Sequence, residues 1–382
     1  MVAERMAEVK GSPTVRLSGL VAELKAKGED IISLAIGEPD FPTPPHIVQA
    51  AKEALDEGFT KYTPSPGIPE LREAIADKSR AENGIPCGPE HALVSPTKHA
   101  LFATVLAFTG PGDEVLLPDP GWVSYLPMVQ LAGARAIPVP CSPEDGFEMT
   151  PEAMAEQVSS RTRMVIVNTP NNPTGSVYSL DCLKGIAELA EDHDFLVVTD
   201  EIYERILYGG KHYSIAAFPG SFERTITVNG FSKTFAMTGW RLGWLVAPVE
   251  LVKPINTVQQ HSFTCATSFA QKGGVAALTG PKEPVEAMVR EFRRRRDMVV
   301  EGVNQIPGLS CQEPKGSFYA WVRFEDSMGS LEFAEMLLKK ARVAFTPGIA
   351  FGSRGEGHIR LSFAASQEDL GEALRRIKEV LS

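Results

Sequence analysis

The stretch "NGFSKTFAMTGWRLG" places Lys233 where it has no acid to pair with and no amphipathic helix to solvate it, and Arg241 follows eight residues later. An amine kept away from carboxylates and near other cations stays neutral more readily, and a neutral lysine can attack a carbonyl carbon. Other polar residues occur at comparable points. Asp200 closes "FLVVTD" with Tyr203 three residues on, Asn172 follows "RMVIVN" in "TPNNPTG", and Trp122 follows "LLPDPGW". In "LVSPTKHALF" an apolar run passes through Ser95 and Pro96 into Thr97 and Lys98. With Ser95 as cap and Pro96 in the first turn, the amides of Thr97 and Lys98 stand free at a helix N-terminus, which attracts anions.

Singly, each residue has a plain structural reading: a solvated lysine, a helix-capping aspartate, a turn, a core tryptophan. One ligand would use the whole set, a ligand with a phosphate, an aldehyde, a phenolic oxygen and a pyridine nitrogen. The free amides and the Arg241 fork suit the phosphate. Asp200 suits a protonated ring nitrogen, Tyr203 the phenolic oxygen, Trp122 the ring face and Lys233 the aldehyde.

These residues require a sheet edge on which to meet. "EVLLP", "RAIPVP", "RMVIVN", "FLVVTD", "TITVNG" and "GWLVAP" read as buried strands, alternating with helical segments such as "SLDCLKGIAELAEDH" and the one after Ser95. Such alternation predicts an α/β fold with a mostly parallel, helix-covered sheet, whose ligands bind beyond the carboxyl ends of the strands. Near the start, "SPTVRLSGLVAELKAKG" reads as a helix capped by Ser12, begun by Pro13, ended by Gly28, with Leu17, Leu20, Val21 and Leu24 on one face. From residue 283 a long charged helix and shorter mixed elements predict a smaller α+β domain. The expected division is 1–45 for an N-terminal segment joining the small domain, 46–282 for the large domain and 283–382 for the small one.

The 382 residues are 43% hydrophobic and 23% charged, enough for a large core. A net charge of −10 argues against nucleic acid as a partner. The five cysteines lie far apart without CxxC spacing, which points to a reducing cytoplasm rather than a disulfide framework or a zinc site. The longest apolar run, "ALFATVLAF", falls well short of the roughly 18 residues of a membrane span.

Together the motifs "LAIGEPDFPTPPHI", "KYTPSPGIPELREAIA", "GPGDEVLLPDPGWVSY", "VNTPNNPTGSVY", "VVTDEIYERILY", "NGFSKTFAMTGWRLG" and "GHIRLSFA" span nearly the whole chain. The sequence resembles the fold-type-I pyridoxal-phosphate aminotransferases of class I/II, the group that includes bacterial aspartate aminotransferases. The resemblance implies pyridoxal 5'-phosphate as cofactor and a ping-pong Schiff-base transfer from an L-amino acid, aspartate or an aromatic or aliphatic one, to a 2-oxo acid such as 2-oxoglutarate. It implies catalysis by Lys233, Asp200 and Tyr203, and cofactor contacts from Thr97, Lys98, Trp122, Asn172, Ser232 and Arg241. Arg360 would grip the substrate carboxylate with help from Asn172 and the backbone of Gly37. The same resemblance implies a homodimer in which Tyr62 reaches the partner's cofactor phosphate.

Two features depart from the family pattern. "SPTKHA" replaces a glycine-containing phosphate loop and is one residue shorter, and Gly230 stands where some relatives carry a phosphate-binding serine, a loss Ser232 would offset in part. The alternative on the same scaffold is a C–S β-lyase. A DNA-binding regulator would need an added basic segment, and a Ser232–Lys233 hydrolytic dyad is disfavoured because adjacent residues do not face each other on a helix.

Overall fold

Short apolar runs form the strands, and valine, isoleucine and threonine dominate the central ones. The computed structural model describes residues 2, 3, 6, 7, 9, 11 and 13–382. In chain order the strands are β1 (Ile32–Ser33), β2 (Ala92–Val94), β3 (Glu114–Asp119), β4 (Arg135–Pro140), β5 (Thr162–Asn168), β6 (Leu196–Asp200), β7 (Thr225–Gly230), β8 (Gly243–Val246), β9 (Leu309–Cys311), β10 (Tyr319–Phe324), β11 (Val343–Ala344), β12 (Thr346–Pro347) and β13 (His358–Ser362).

Seven of them form one sheet in the order β2-β8-β7-β6-β5-β3-β4, in which β8 alone runs against its neighbours. The central strands β5, β6 and β7 are almost wholly buried, as strands covered on both faces must be. The "RAIPVP" strand, expected to be buried, is instead the half-exposed edge strand β4. Its two prolines lack ladder donors, and an edge is where a sheet tolerates them.

Helices between the strands supply the cover. Leu180–Asp192 packs Leu183, Ile186 and Ala190 inward, and Ser179 Oγ caps it by accepting from Cys182 N at 3.2 Å. The helix after β2 begins at Thr97, with Pro96 rather than Ser95 at the cap position. Ser95 does not cap it because its backbone is still committed to the sheet and the helix starts one residue later than expected. Its N–H continues the β2–β8 ladder to Gly243 O at 2.9 Å, and its buried hydroxyl has no partner among the described residues.

The C-terminal part builds an antiparallel sheet, β12-β13-β10-β9, while β1 pairs in parallel with β11. The long helix Glu283–Asn304 buries Met288, Phe292, Val299 and Val303 in a cluster that also takes Leu34, Phe318 and Phe363. The expected Ser12 cap lies outside the described residues. In the helix Pro13–Ala26, Val21 packs inward with Leu17 and Leu24 beside it, but Leu20 is 42% exposed and does not share that face. Gly28 follows at φ +83°, a value that ends a helix without strain only for glycine. All five cysteines are free, and no helix among the described residues is long and apolar enough to cross a membrane.

Candidate active site

At the carboxyl ends of β3, β5, β6 and β7, beside the helix that starts at Thr97, the chain encloses a cavity of about 290 Å³. Its walls include Gly37, Thr97, Lys98, Trp122, Asn172 and Asp200, together with Tyr203, Ser232, Lys233, Arg241 and Arg360. Eleven residues singled out from the sequence therefore converge. Tyr62 does not join them and is 87% exposed.

Lys233 follows β7 and donates from Nζ to the Gly37 carbonyl at 2.5 Å, with no carboxylate in salt-bridge range among the described residues. Burial, reinforced by the nearby Arg360 and Arg241 charges, lowers its pKa to about 8. Asp200 is buried, and burial raises its carboxyl to about 6 against the pull of two hydrogen bonds. Those bonds come from Tyr125 Oη at 2.8 Å and Ile202 N at 3.3 Å. The cavity thus holds an amine without an acid and an acid without a cation.

Arg360, on β13, is buried and also lacks an acid. It donates to Asn172 Oδ1 at 2.9 Å and to Ala35 O at 2.7 Å, with its guanidinium carbon 4.3 Å from the Tyr319 ring centroid. Its Nε is buried without a partner among the described residues. Such a fork invites a planar anion. Tyr203 Oη and Tyr319 Oη lie 3.0 Å apart, and a Cβ on Gly37 would overlap Tyr319 Oη, so glycine is what lets that hydroxyl pack against the backbone there.

At the helix start, Lys98 Nζ lies 4.8 Å from the Trp122 ring centroid and 3.2 Å from Ser124 Oγ. Burial and then the Arg241 charge lower its pKa. Arg241 has left-handed backbone, φ +53°, and donates to Thr238 O at 2.9 Å. The Gly230 departure has a structural counterpart: a Cβ there would overlap Thr97 Oγ1, which bonds Asn229 O at 3.1 Å. Thr97, rather than a serine at 230, therefore fills this corner.

Sequence reasoning missed Tyr125, Asn168, Ile202, Thr238 and Tyr319, all of which line the cavity. Asn168 was within reach, since it is the last residue of β5; it accepts from Asn172 N and donates to Asp200 O, both at 2.9 Å. Tyr125 and Tyr319 carry no local signal.

An amine of lowered basicity, an uncompensated acid and an anion fork facing one cavity define an enzyme of amine and carbonyl chemistry. Residues 29–377 match the family model "Aminotransferase class I and II", and the chain belongs to that family. It is 44% identical to an aspartate aminotransferase of Musicola paradisiaca, over 100% of this chain and 96% of the relative. It is 46% identical to aromatic-amino-acid aminotransferase 2 of Thermococcus litoralis, over 92% of each. The fold superposes on the aspartate aminotransferase of Thermus thermophilus solved with maleate at a TM-score of 0.96, with 43% identity and 100% of both chains covered. The protein is a transaminase, its family implies pyridoxal phosphate as cofactor, and these names give no support to the C–S lyase alternative.

Proposed function

We propose that the cavity binds pyridoxal 5'-phosphate and runs amino transfer from an L-amino acid to a 2-oxo acid such as 2-oxoglutarate. The observation that carries this reading is that Lys233 and Asp200 face one cavity and neither has a partner of opposite charge there. The residues fit the cofactor group by group. The amides of Thr97 and Lys98, the Ser232 hydroxyl and Arg241 would hold the phosphate, because the first turn of a helix leaves its amides without intrahelical acceptors. Asp200 would face the ring nitrogen, Tyr203 and Asn172 the phenolic oxygen, and Trp122 the ring face.

When bound, the cofactor supplies an aldehyde that condenses with amines and a ring that accepts an electron pair. Lys233 Nζ takes the proton from the substrate Cα and later returns one. A pKa near 8 suits both acts, since the amine can be emptied and refilled near neutrality. Asp200 would keep a proton on the ring nitrogen, with Tyr125 Oη and Ile202 N fixing its carboxylate. Arg360 grips the α-carboxylate, with Asn172 Oδ1 and the Gly37 backbone fixing the geometry.

The proposal extends to the assembly and the chain's division. Tyr62, exposed and outside its own cavity, would reach the phosphate of a second copy in a homodimer. Pairing of β1 with β11 supports assigning residues 1–45 to the small domain, with 46–282 as the large domain and 283–382 completing the small one.

A donor panel against 2-oxoglutarate tests the reading, with cofactor absorbance followed in each half-reaction. An amino acid alone should change the spectrum once per site, and a 2-oxo acid should reverse it. A guanidinium matches a carboxylate in two prongs where an ammonium cannot, so Arg360→Lys should weaken amino acid and 2-oxo acid together by about 1.5 to 3 kcal/mol. A variant that binds both as wild type does would remove Arg360 from this role.

A further inference from the structure

Behind the turn that bears Asp200 and Tyr203 lies a second group of ionisable side chains that the reaction does not use. Asp200 and Tyr203 line the cavity, whereas Glu201 and Glu204 are buried on the far side. The Glu201 carboxylate accepts from Thr199 Oγ1 at 3.1 Å, Ser214 Oγ at 2.6 Å and Asn83 Nδ2 at 3.4 Å, and meets His212 Nε2 at 2.9 Å. Glu204 pairs with Lys78 Nζ and accepts from Asn83 Nδ2 at 2.8 Å. Ligand atoms of Glu201, Glu204 and His212 lie within 4.8 Å of one another, a spacing a metal ion could use. The Lys78 ammonium already supplies a cation to Glu204, and the His212 ring faces Glu201, so each carboxylate has a partner without an ion.

We propose that the buried Glu201–His212 pair positions Asp200, clamping its turn from behind and offsetting a second carboxylate one residue away. The backbone is held to match: Glu201 N donates to Val228 O on β7 and Glu204 N to Glu201 O, each at 2.9 Å. The groups facing His212 are Glu201 and Glu204 on the turn, Lys78 on the helix Pro69–Lys78, and the neutral Ser214 and Asn83. Burial and Lys78 oppose a charge on His212, but the Glu201 charge and hydrogen bond together with the Glu204 charge outweigh them and raise the imidazole above its ordinary value. Glu201 is itself one of the groups that raise Asp200. Without the imidazolium, Asp200 feels that charge in full, takes up a proton more easily and serves a ring nitrogen less well. His212 therefore acts through Asp200, and the inference rests on Asp200 facing the cofactor ring.

The test is the pH titration of cofactor absorbance in the purified holoenzyme, together with kcat and KM. His212→Gln keeps an N–H near Nε2 and removes only the charge. Loss of a buried cation favours protonated forms, so the midpoint should move up by about half a pH unit or more. The same variant should lower kcat several-fold with KM for the amino acid nearly unchanged. Glu201→Gln should move the midpoint down, and it serves if His212→Gln does not fold. A merely structural role would change melting temperature and leave the midpoint in place. A folded variant with the wild-type midpoint and kcat overturns the inference alone; a wild type with no cofactor titration or no amino transfer overturns the reading of the cavity as well.

Discussion

Lys78 is buried and Lys233 half-buried, yet their surroundings differ in kind. Lys78 meets the Glu204 carboxylate and Asn83 Oδ1, and Glu204 in turn is held by Asn83. Lys233 meets a backbone carbonyl, with Arg360 and Arg241 among the charges that lower its basicity. The same contrast holds for the acids. Glu204 falls to about 2 because, against burial, Lys78 and His212 supply opposite charge, whereas Asp200 rises to about 6 because burial outweighs its two hydrogen bonds. One turn thus divides paired carboxylates from an unpaired acid and amine, although on the paired side His212 Nδ1 is buried without a partner among the described residues. A fold keeps buried charges unpaired at a cost, and the difference marks where a ligand completes the set.

The largest effect should come from breaking the unpaired side at its nucleophile. Lys233→Ala should lose turnover by ~10⁴-fold, the upper range for a positioned proton-transfer group, while retaining cofactor through the phosphate contacts. Cofactor absorbance after gel filtration, set beside steady-state rates, checks both halves. Near-normal turnover would mean that the unpaired lysine is not the reactive amine.

Asp200→Ala should follow. Loss of one buried ionic hydrogen bond is worth about 2 to 5 kcal/mol, and here it should fall on the chemical step. Single-turnover rates separate that step from binding, and a defect confined to substrate affinity would contradict the assignment.

The Lys78–Glu204 pair should answer in stability instead of rate. Glu204 has a folded pKa depressed from 4.5 to about 2, so its contribution is present above about pH 4.5 and is lost as pH falls toward 2. A shift of that size corresponds to about 3 kcal/mol. Urea unfolding between pH 6 and pH 3 should show wild type losing stability more steeply than Glu204→Gln. Equal slopes would show that the pair contributes no pH-dependent stability.

Tyr62→Phe should have the smallest effect, weakening cofactor retention by about 1.5 to 3 kcal/mol at most, the range for a hydrogen bond to a charged group. Mixing Tyr62→Phe with Lys233→Ala chains sharpens the point. If Tyr62 serves the neighbouring copy, the mixed dimer contains one site with both defects and one with neither, so a normal site returns. If it serves its own chain, every site with a lysine keeps the weakened contact.

Much of the cavity was legible in local sequence. Asp200, Asn172, Lys233 and Trp122 each follow a recognisable apolar strand, and parallel strands deliver their ends to one edge. That is a short-range property: β-branched runs and the turn residues after them set strand ends without reference to the rest of the chain. The mistaken Ser95 cap was not a local matter, since the bond from Ser95 N to Gly243 O, on a strand far along the chain, is what keeps Ser95 with the sheet.

The partners of those residues were not local. Tyr125 donates to Asp200 from 75 residues away, Arg360 reaches Asn172 across 188, and Lys233 finds Gly37 O across 196. The sequence by itself determined which chemical groups stand at the sheet edge and that they suit one kind of cofactor. Tertiary structure decided which of those groups are paired and which are left open. Charge compensation depends on distance and burial after packing, and residue order specifies neither.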